Sequence, residues 1–247
     1  MEDHEETAAT YDAARYDRPS VTVDVVIFTL IERELHVLLV QRKRWPYEGR
    51  WAIPGGFINM DESLEQAARR ELEEETGVRD LYIEQLFTFG DVGRDPRTRV
   101  ISVAYIALVR FDAQHLRVSD ESHDVRWFPV SALTRDLAFD HEQILAFAVS
   151  RLRSKLEYTT LAFQLLPELF SILELKHIYE QILGEQLDKG NFYRKIKEAG
   201  LLEETTHMRE GRGRPTRLWR FNPDRAGDKQ FVFRWREDRG VTAKDAK

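Results

Sequence analysis

Gly56-Phe-Ile-Asn-Met-Asp-Glu-Ser-Leu-Glu-Gln-Ala-Ala-Arg-Arg-Glu-Leu-Glu-Glu-Glu-Thr-Gly-Val78 contains a helix from about Glu62 to Thr76, which Gly77 can close. At about 100° per residue from Leu64, Ala68 and Leu72 fall near +40° and +80° and form an apolar stripe. On the same roughly 100° scale, Glu71 and Glu75 lie near −20° and +20°, with Glu74 near −80°. Three carboxylates therefore converge on a face that the apolar pattern says is packed. Left unpaired they would repel and lose hydration, so something must neutralise them. A hard divalent cation, Mg2+ or Mn2+, wants oxygen ligands and suits the cluster. The plainer alternative is an acidic surface helix whose glutamates pair with Arg69 and Arg70.

The wider pattern decides between the two. Gly56, five residues, Glu62, seven residues and Arg70-Glu71-Leu72-x-Glu74-Glu75-x-Gly77-Val78 match the Nudix box at every fixed position. Trp51-Ala-Ile-Pro-Gly-Gly56 also resembles the usual Nudix entry. The resemblance implies a sheet-and-helix sandwich that hydrolyses nucleoside diphosphates linked to another moiety. It further implies that Glu71, Glu74 and Glu75 hold metal, that the Gly55 carbonyl adds a ligand, and that Arg70 orients the glutamates. Metal on a pyrophosphate neutralises its charge and readies a water for attack on phosphorus. In Nudix enzymes resembling ADP-ribose pyrophosphatases the base often sits on a late acidic loop. Here that would be Ser119-Asp-Glu-Ser-His-Asp124, with Glu121 the candidate and His123 the reserve; a solvated turn is the alternative.

Around this core the first half reads as strands. Val21–Leu30 and Glu34–Gln41 suggest a hairpin, a Pro- and Gly-rich loop spans Trp45 to Asn59, and further strands fall near Leu81–Phe89, Arg99–Phe111 and Val125–Pro129. Thr88-Phe-Gly-Asp-Val-Gly-Arg-Asp-Pro-Arg-Thr-Arg99 resembles the loop of Nudix proteins that handle ADP-ribose. Arg94, Arg97 and Arg99 could then meet pyrophosphate oxygens bidentately, with Arg42 and Arg44 opposite.

The 247 residues suggest more than one domain, and 42% apolar residues suffice for ordinary cores. Zero cysteine excludes disulfides, thiolate metal sites and a cysteine nucleophile. No apolar run approaches the roughly 18 residues of a membrane-spanning helix, so no membrane partner is expected. The acidic opening is unlike a secretory signal, so a cytoplasmic location is expected. The net charge of −6 hides a polarity: residues 1–149 hold 17 Lys and Arg against 28 Asp and Glu, whereas residues 150–247 hold 20 against 15. Any polyanionic partner belongs on the C-terminal side.

That side carries its own signals. Ser171-Ile-Leu-Glu174 is a capping box opening a helix with apolar Leu175, Ile178, Tyr179 and Ile182, which Gly184 can end. Asp188 is a good N-cap for a second helix, Lys189–Ala199, closed by Gly200. Phe192, Ile196 and Ala199 share its buried side; Gly190, Arg194 and Lys197 lie opposite, with Lys189, Asn191 and Tyr193 near its leading end. Helix, turn and basic helix are the parts of a helix-turn-helix. Two strand-like runs then flank Arg209-Glu-Gly-Arg-Gly-Arg-Pro215, where Arg212 and Arg214 could enter a minor groove. A plain helical hairpin with a solubilising loop is the alternative.

Leu165-Leu-Pro-Glu-Leu-Phe-Ser-Ile-Leu-Glu-Leu, Tyr179-Glu-Gln-Ile-Leu-Gly, Leu187-Asp-Lys-Gly-Asn-Phe-Tyr-Arg-Lys-Ile, Gly213-Arg-Pro215 and Leu-Trp-Arg-Phe221 resemble the Nudix-related transcriptional regulators of NrtR type. Such regulators are dimers that bind operator DNA, respond to nucleotides such as ADP-ribose and often control NAD metabolism. The expected fold class is therefore α+β: a Nudix sandwich over 1–150 with an acidic tail over 1–15, a winged helix-turn-helix over 151–225, and a tail over 226–247 without a readable motif. The boundary falls inside a helix, His141–Tyr158. The expected partners are double-stranded operator DNA, ADP-ribose or a related nucleotide, and a second copy of the chain. An Mg2+-dependent pyrophosphohydrolase whose winged part serves dimerisation or protein contacts is the other reading, and a sugar-sensing regulator a third.

Overall fold

The computed structural model describes residues 15–225 except 80–81, 112–115, 134–135 and 211–214. Strands β1 (Ser20–Ile31) and β2 (Glu34–Arg42) form the expected hairpin, joined by Glu32 and Arg33, both at positive φ. Two left-handed central residues match the twist of a two-residue hairpin turn. β1 also runs parallel to β6 (Val100–Leu108), Ser20 facing Val100 through Phe28 facing Leu108. β5 (Tyr82–Phe89) pairs antiparallel with β6, and β7 (Ser122–Pro129) with β2.

The segment Trp45–Asn59 departs from the expected loop. It holds two short strands, β3 (Trp51–Ala52) on β2 and β4 (Gly55–Phe57) on β1. Their shortness hides them from a pattern search, and glycine makes the second possible. A methyl at Gly55 would lie 2.1 Å from the Val23 carbonyl oxygen and 2.8 Å from Asp24 Cα. Both are backbone atoms, so neither can swing away. Gly55→Ala is expected to cost about 1–3 kcal/mol of stability, read as a lowered thermal midpoint. An unchanged midpoint would mean that β4 can shift off β1 freely.

Both faces of the sheet are covered. Val23, Val25 and Ile27 pack with Ala67, Ala68 and Leu72 of α1 (Leu64–Thr76). Val26 and Phe28 face the other way, toward Ile144, Ala148 and Leu152 of α2 (His141–Lys155). Each large apolar side chain so buried contributes about 1.5–3 kcal/mol. α1 starts two residues later than expected because Ser63 and Gln66 form a capping box, leaving Glu62 outside the helix. Gly77, at φ 76, closes it. α2 stops at Lys155, where Leu156 caps it, rather than at Tyr158.

The apolar layer under α2 continues as one cluster through Leu161, Phe163 and Phe170 to α3 (Ile172–Leu183) and α4 (Lys189–Glu198). The Ser171 capping box, the Gly184 C-cap and the Asp188 N-cap all form as the sequence implies. Between the helices, the buried Glu180 carboxylate accepts from the Leu187 N–H at 2.8 Å and pairs with Lys176. Burial pushes its carboxyl up, but the Lys176 and Leu187 hydrogen bonds override this and hold it below the usual range. One carboxylate thus fixes the interhelical turn. β8 (Leu202–Arg209) and β9 (Thr216–Phe221) form the wing, and Phe170 adds a two-bond bridge to Trp219. The architecture is the α+β class expected, a mixed sheet between helices followed by a winged helix-turn-helix.

Candidate functional site

A cavity of about 530 Å3 opens where β1, β4, α1 and the start of α2 meet, and polar side chains dominate its wall. The acidic helix supplies one side. Arg70 donates from Nε and Nη2 to Glu62 at 2.9 and 2.6 Å, and from Nη1 to Glu71 at 2.8 Å and Glu74 at 3.1 Å. Its Nη2 also reaches the Phe57 carbonyl at 3.1 Å. A single guanidinium therefore orients three carboxylates, and its hydrogen bonds hold Glu62 down at about 2. The close approach depends on Gly56, where a Cβ would lie 2.3 Å from Glu71 Oε1.

Glu75 lies deeper and accepts from the Gly55 N–H at 2.8 Å. Burial pushes its carboxyl up to about 8; the Gly55 hydrogen bond opposes this, and nearby Glu71, Asp24 and Glu121 reinforce it. Burial also raises Glu71, against its bond to Arg70. Among the described residues no three acidic or imidazole side chains are gathered into a metal-holding group; Arg70 bonds to Glu71 and Glu74, and the Gly55 N–H bonds to Glu75. The donor set nevertheless fits a hard divalent cation: crowded oxygen ligands whose charge is costly without one. The buried Thr22 hydroxyl on the same wall has no hydrogen-bond partner among the described residues.

The floor is a polar network. Asp24 accepts from Ser102 and lies 3.7 Å from both Arg94 and His141 Nε2. His141 Nδ1 accepts from the Ile53 N–H at 2.9 Å, which leaves Nε2 as the protonated nitrogen facing Asp24. Burial lowers the His141 pKa against the pull of Asp24, favouring the neutral ring. Arg94 forms a two-pronged bond to Asp140 at 2.9 and 2.6 Å.

In the winged half, Arg194 faces outward from α4, bonded to Asn191 at 2.8 Å and Glu198 at 3.1 Å. Lys189 is exposed at the leading end. The chain thus combines an acidic-helix cavity with a helix-turn-helix. A family model described as NUDIX domain matches residues 20–147, and one described as NrtR DNA-binding winged helix domain matches 162–221. The ADPR responsive transcriptional repressor NtrR of Acinetobacter baylyi is 40% identical over 216 residues, spanning 86% of each chain. This chain belongs to the NrtR family.

Two solved structures extend the likeness. Shewanella oneidensis NrtR complexed with a 27mer DNA superposes with a TM-score of 0.74 at 42% identity, covering 83% of this chain and 95% of that one. The NUDIX domain of the same protein complexed with ADP ribose gives 0.56 at 41% identity, over 61% of this chain and 99% of that one.

Within this NrtR-family chain, the expected site residues Gly55, Arg70, Glu71, Glu74, Glu75, Arg42, Arg44, Arg94, Arg97 and Glu121 all line the cavity. Their surroundings differ. Arg94 is buried and committed to Asp140, which makes it a wall strut rather than a mobile anion hook. Arg97 pairs with Asp95, and Arg44 and Glu121 form an exposed 3.7 Å pair at the rim. Arg99 does not line the cavity; it donates to the Asp91 and Val100 carbonyls. His123 likewise does not line the cavity. β7 begins at Ser122 and carries His123 outward on a paired strand.

On α4, Tyr193 packs against the core, and Lys197 lies with its ammonium 5.5 Å from the Tyr193 ring and 5.1 Å from that of Trp219. These two sit at the edge facing β9, whereas Arg194 and Asn191 hold the outer side. Arg212 and Arg214 lie outside the described residues. Sequence reasoning missed Asp24, Asp95, Phe139, Asp140 and His141. Only Asp24 had a signal, a lone charge inside the apolar run Val21–Leu30.

Proposed function

We propose that this chain is a DNA-binding transcriptional regulator whose Nudix cavity takes ADP-ribose or a similar nucleotide, and that the bound nucleotide weakens its hold on operator DNA. The observation that carries the reading is the placing of α2. Its first residue, His141, stands on the cavity wall, and near its far end Arg153 donates to the Ile182 carbonyl of α3 at 2.9 Å. A sensing pocket and a DNA reader are thus joined by one helix. The DNA-bound and ADP-ribose-bound relatives support the two ends of this arrangement.

We further propose that the chain acts as a homodimer on a near-palindromic site, with Lys189, Asn191, Arg194 and Lys197 of α4, together with Arg212 and Arg214, meeting DNA. The division between the halves that we propose lies between residues 150 and 151, inside α2. Among the described residues no helix is long and apolar enough to cross a membrane.

A second reading, metal-dependent hydrolysis of the same nucleotide, is favoured by the complete carboxylate set. Glu71, Glu74, Glu75 and the Gly55 carbonyl would hold Mg2+ or Mn2+, which when bound neutralises a diphosphate and lowers the pKa of water. Arg70 keeps Glu71 and Glu74 oriented, Arg42 and Arg97 present positive charge to the diphosphate, and Glu121 at the rim is the candidate base.

Operator binding measured with and without ADP-ribose tests the regulatory reading. At least tenfold weaker binding with nucleotide is expected, which needs only about 1.4 kcal/mol of coupling. Reciprocity then demands that operator DNA weaken ADP-ribose binding by the same factor. Equal ADP-ribose affinities with and without DNA would leave two unlinked activities.

A further inference from the structure

Phe139 sits immediately before Asp140 and His141, and its backbone adopts φ 54. Left-handed torsions are rare for a bulky aromatic residue and persist where the surroundings impose them. Here they do. Ala138 donates to the Trp51 carbonyl at 2.8 Å on one side, and Asp140 is gripped by Arg94 on the other. The ring is held on the cavity wall, edge-on to Tyr47 at 4.8 Å. The Arg42 guanidinium lies over it at 4.8 Å and that of Arg97 at 5.6 Å.

Arg42 and Arg97 come from distant parts of the chain and carry like charges, so each disfavours the other's presence. The Phe139 ring offsets part of that repulsion, because its negative π surface attracts both cations, while Arg97 is also bonded to Asp95 and lies 5.1 Å from the Phe57 ring. We infer that Phe139 is a positioning residue that holds Arg42 and Arg97 together as a clamp for a diphosphate. This rests on the reading that the cavity takes ADP-ribose. It adds the group that sets the clamp's spacing, and it makes two charges rather than one the determinant of selectivity. A ligand with a diphosphate engages both guanidinium groups; a monophosphate gains little from their pairing.

The test uses the full chain and calorimetric titration with ADP-ribose and AMP, in EDTA and again with Mg2+. Phe139→Gly removes the ring while suiting the left-handed backbone. It is expected to weaken ADP-ribose binding about tenfold and AMP binding by less than about twofold. Phe139→Tyr keeps the aromatic face and is expected to stay within about twofold of the unmodified chain for both ligands. In an Arg42→Ala background the Phe139→Gly loss should shrink to about twofold or less, because the pair it organises is already broken. Equal losses for both ligands, a full loss in the Arg42→Ala background, or a Tyr variant as weak as the Gly variant would each overturn the inference. Failure of the unmodified chain to bind ADP-ribose in either buffer would instead remove the ligand reading on which it rests.

Discussion

Raising the salt from about 50 to 200 mM is expected to weaken the chain's hold on duplex DNA by about a thousandfold or more, if each complex engages some six to ten phosphates. The physical cause is counterion release: each Lys or Arg that meets a phosphate frees a condensed cation, and that gain fades as bulk salt rises. The positive excess of residues 150–247 supplies the charge, and α4 supplies the shape. Arg194→Ala should cost about 1–3 kcal/mol of operator binding. Before contact its guanidinium must leave Asn191 and Glu198, so Glu198→Gln should tighten DNA binding slightly by loosening that hold. Lys197→Ala should cost less, since its ammonium already lies over Trp219. Lys244→Ala and Lys247→Ala, outside the motif, are the controls. Fluorescence anisotropy over a salt series measures all of these, and equal losses from every variant would reduce the interface to unspecific charge attraction.

Glu75→Gln is expected to cut metal-dependent conversion of ADP-ribose to AMP and ribose 5-phosphate by about a thousandfold, as loss of a charged ligand at a reacting metal should. The fold should survive. An amide oxygen can still accept from the Gly55 N–H, and the substitution removes a carboxylate whose burial is costly without a cation. AMP release followed by chromatography, with the thermal midpoint as a control, separates chemistry from stability. Turnover within tenfold of the unmodified chain would remove Glu75 from the metal set. No turnover by the unmodified chain of any nucleoside diphosphate derivative, with Mg2+ or Mn2+, would end the hydrolase reading and leave sensing. If binding alone is the signal, the Gln variant still releases DNA when ADP-ribose is added.

Features set by neighbours in sequence were legible before any coordinates. The caps at Ser171 and Asp188 and the closing Gly77 and Gly184 act within four residues, so their meaning is local, whereas the Ser63 box, which moved the start of α1, went unread. The carboxylate face of α1 followed from helical geometry alone. Contacts between distant residues were not legible. Nothing in Arg94 announces that it meets Asp140, for that depends on where α2 begins. The buried Asp24, Ser102 and His141 group joins three elements, and only the odd charge within β1 hinted at it. The strands β3 and β4 were missed for a different reason: they hold two and three residues, too few for alternation to emerge.

The apolar layer that starts beneath the sheet at Val26 and Phe28 reaches Tyr179 and Phe192 as one body, with Ile144, Leu152 and Leu156 in between. This has a consequence for recombination between related genes. A crossover at residue 150 would splice one parent's Ile144 onto the other's Leu152, about two turns apart on a single helix that must fit both neighbours. Chimaeras meant to give this pocket a new operator should therefore exchange the winged half together with α2 and its sheet-facing partners, or keep all of these from one parent. Shuffled offspring that break this rule are expected to be lost to misfolding before their DNA preference can be selected.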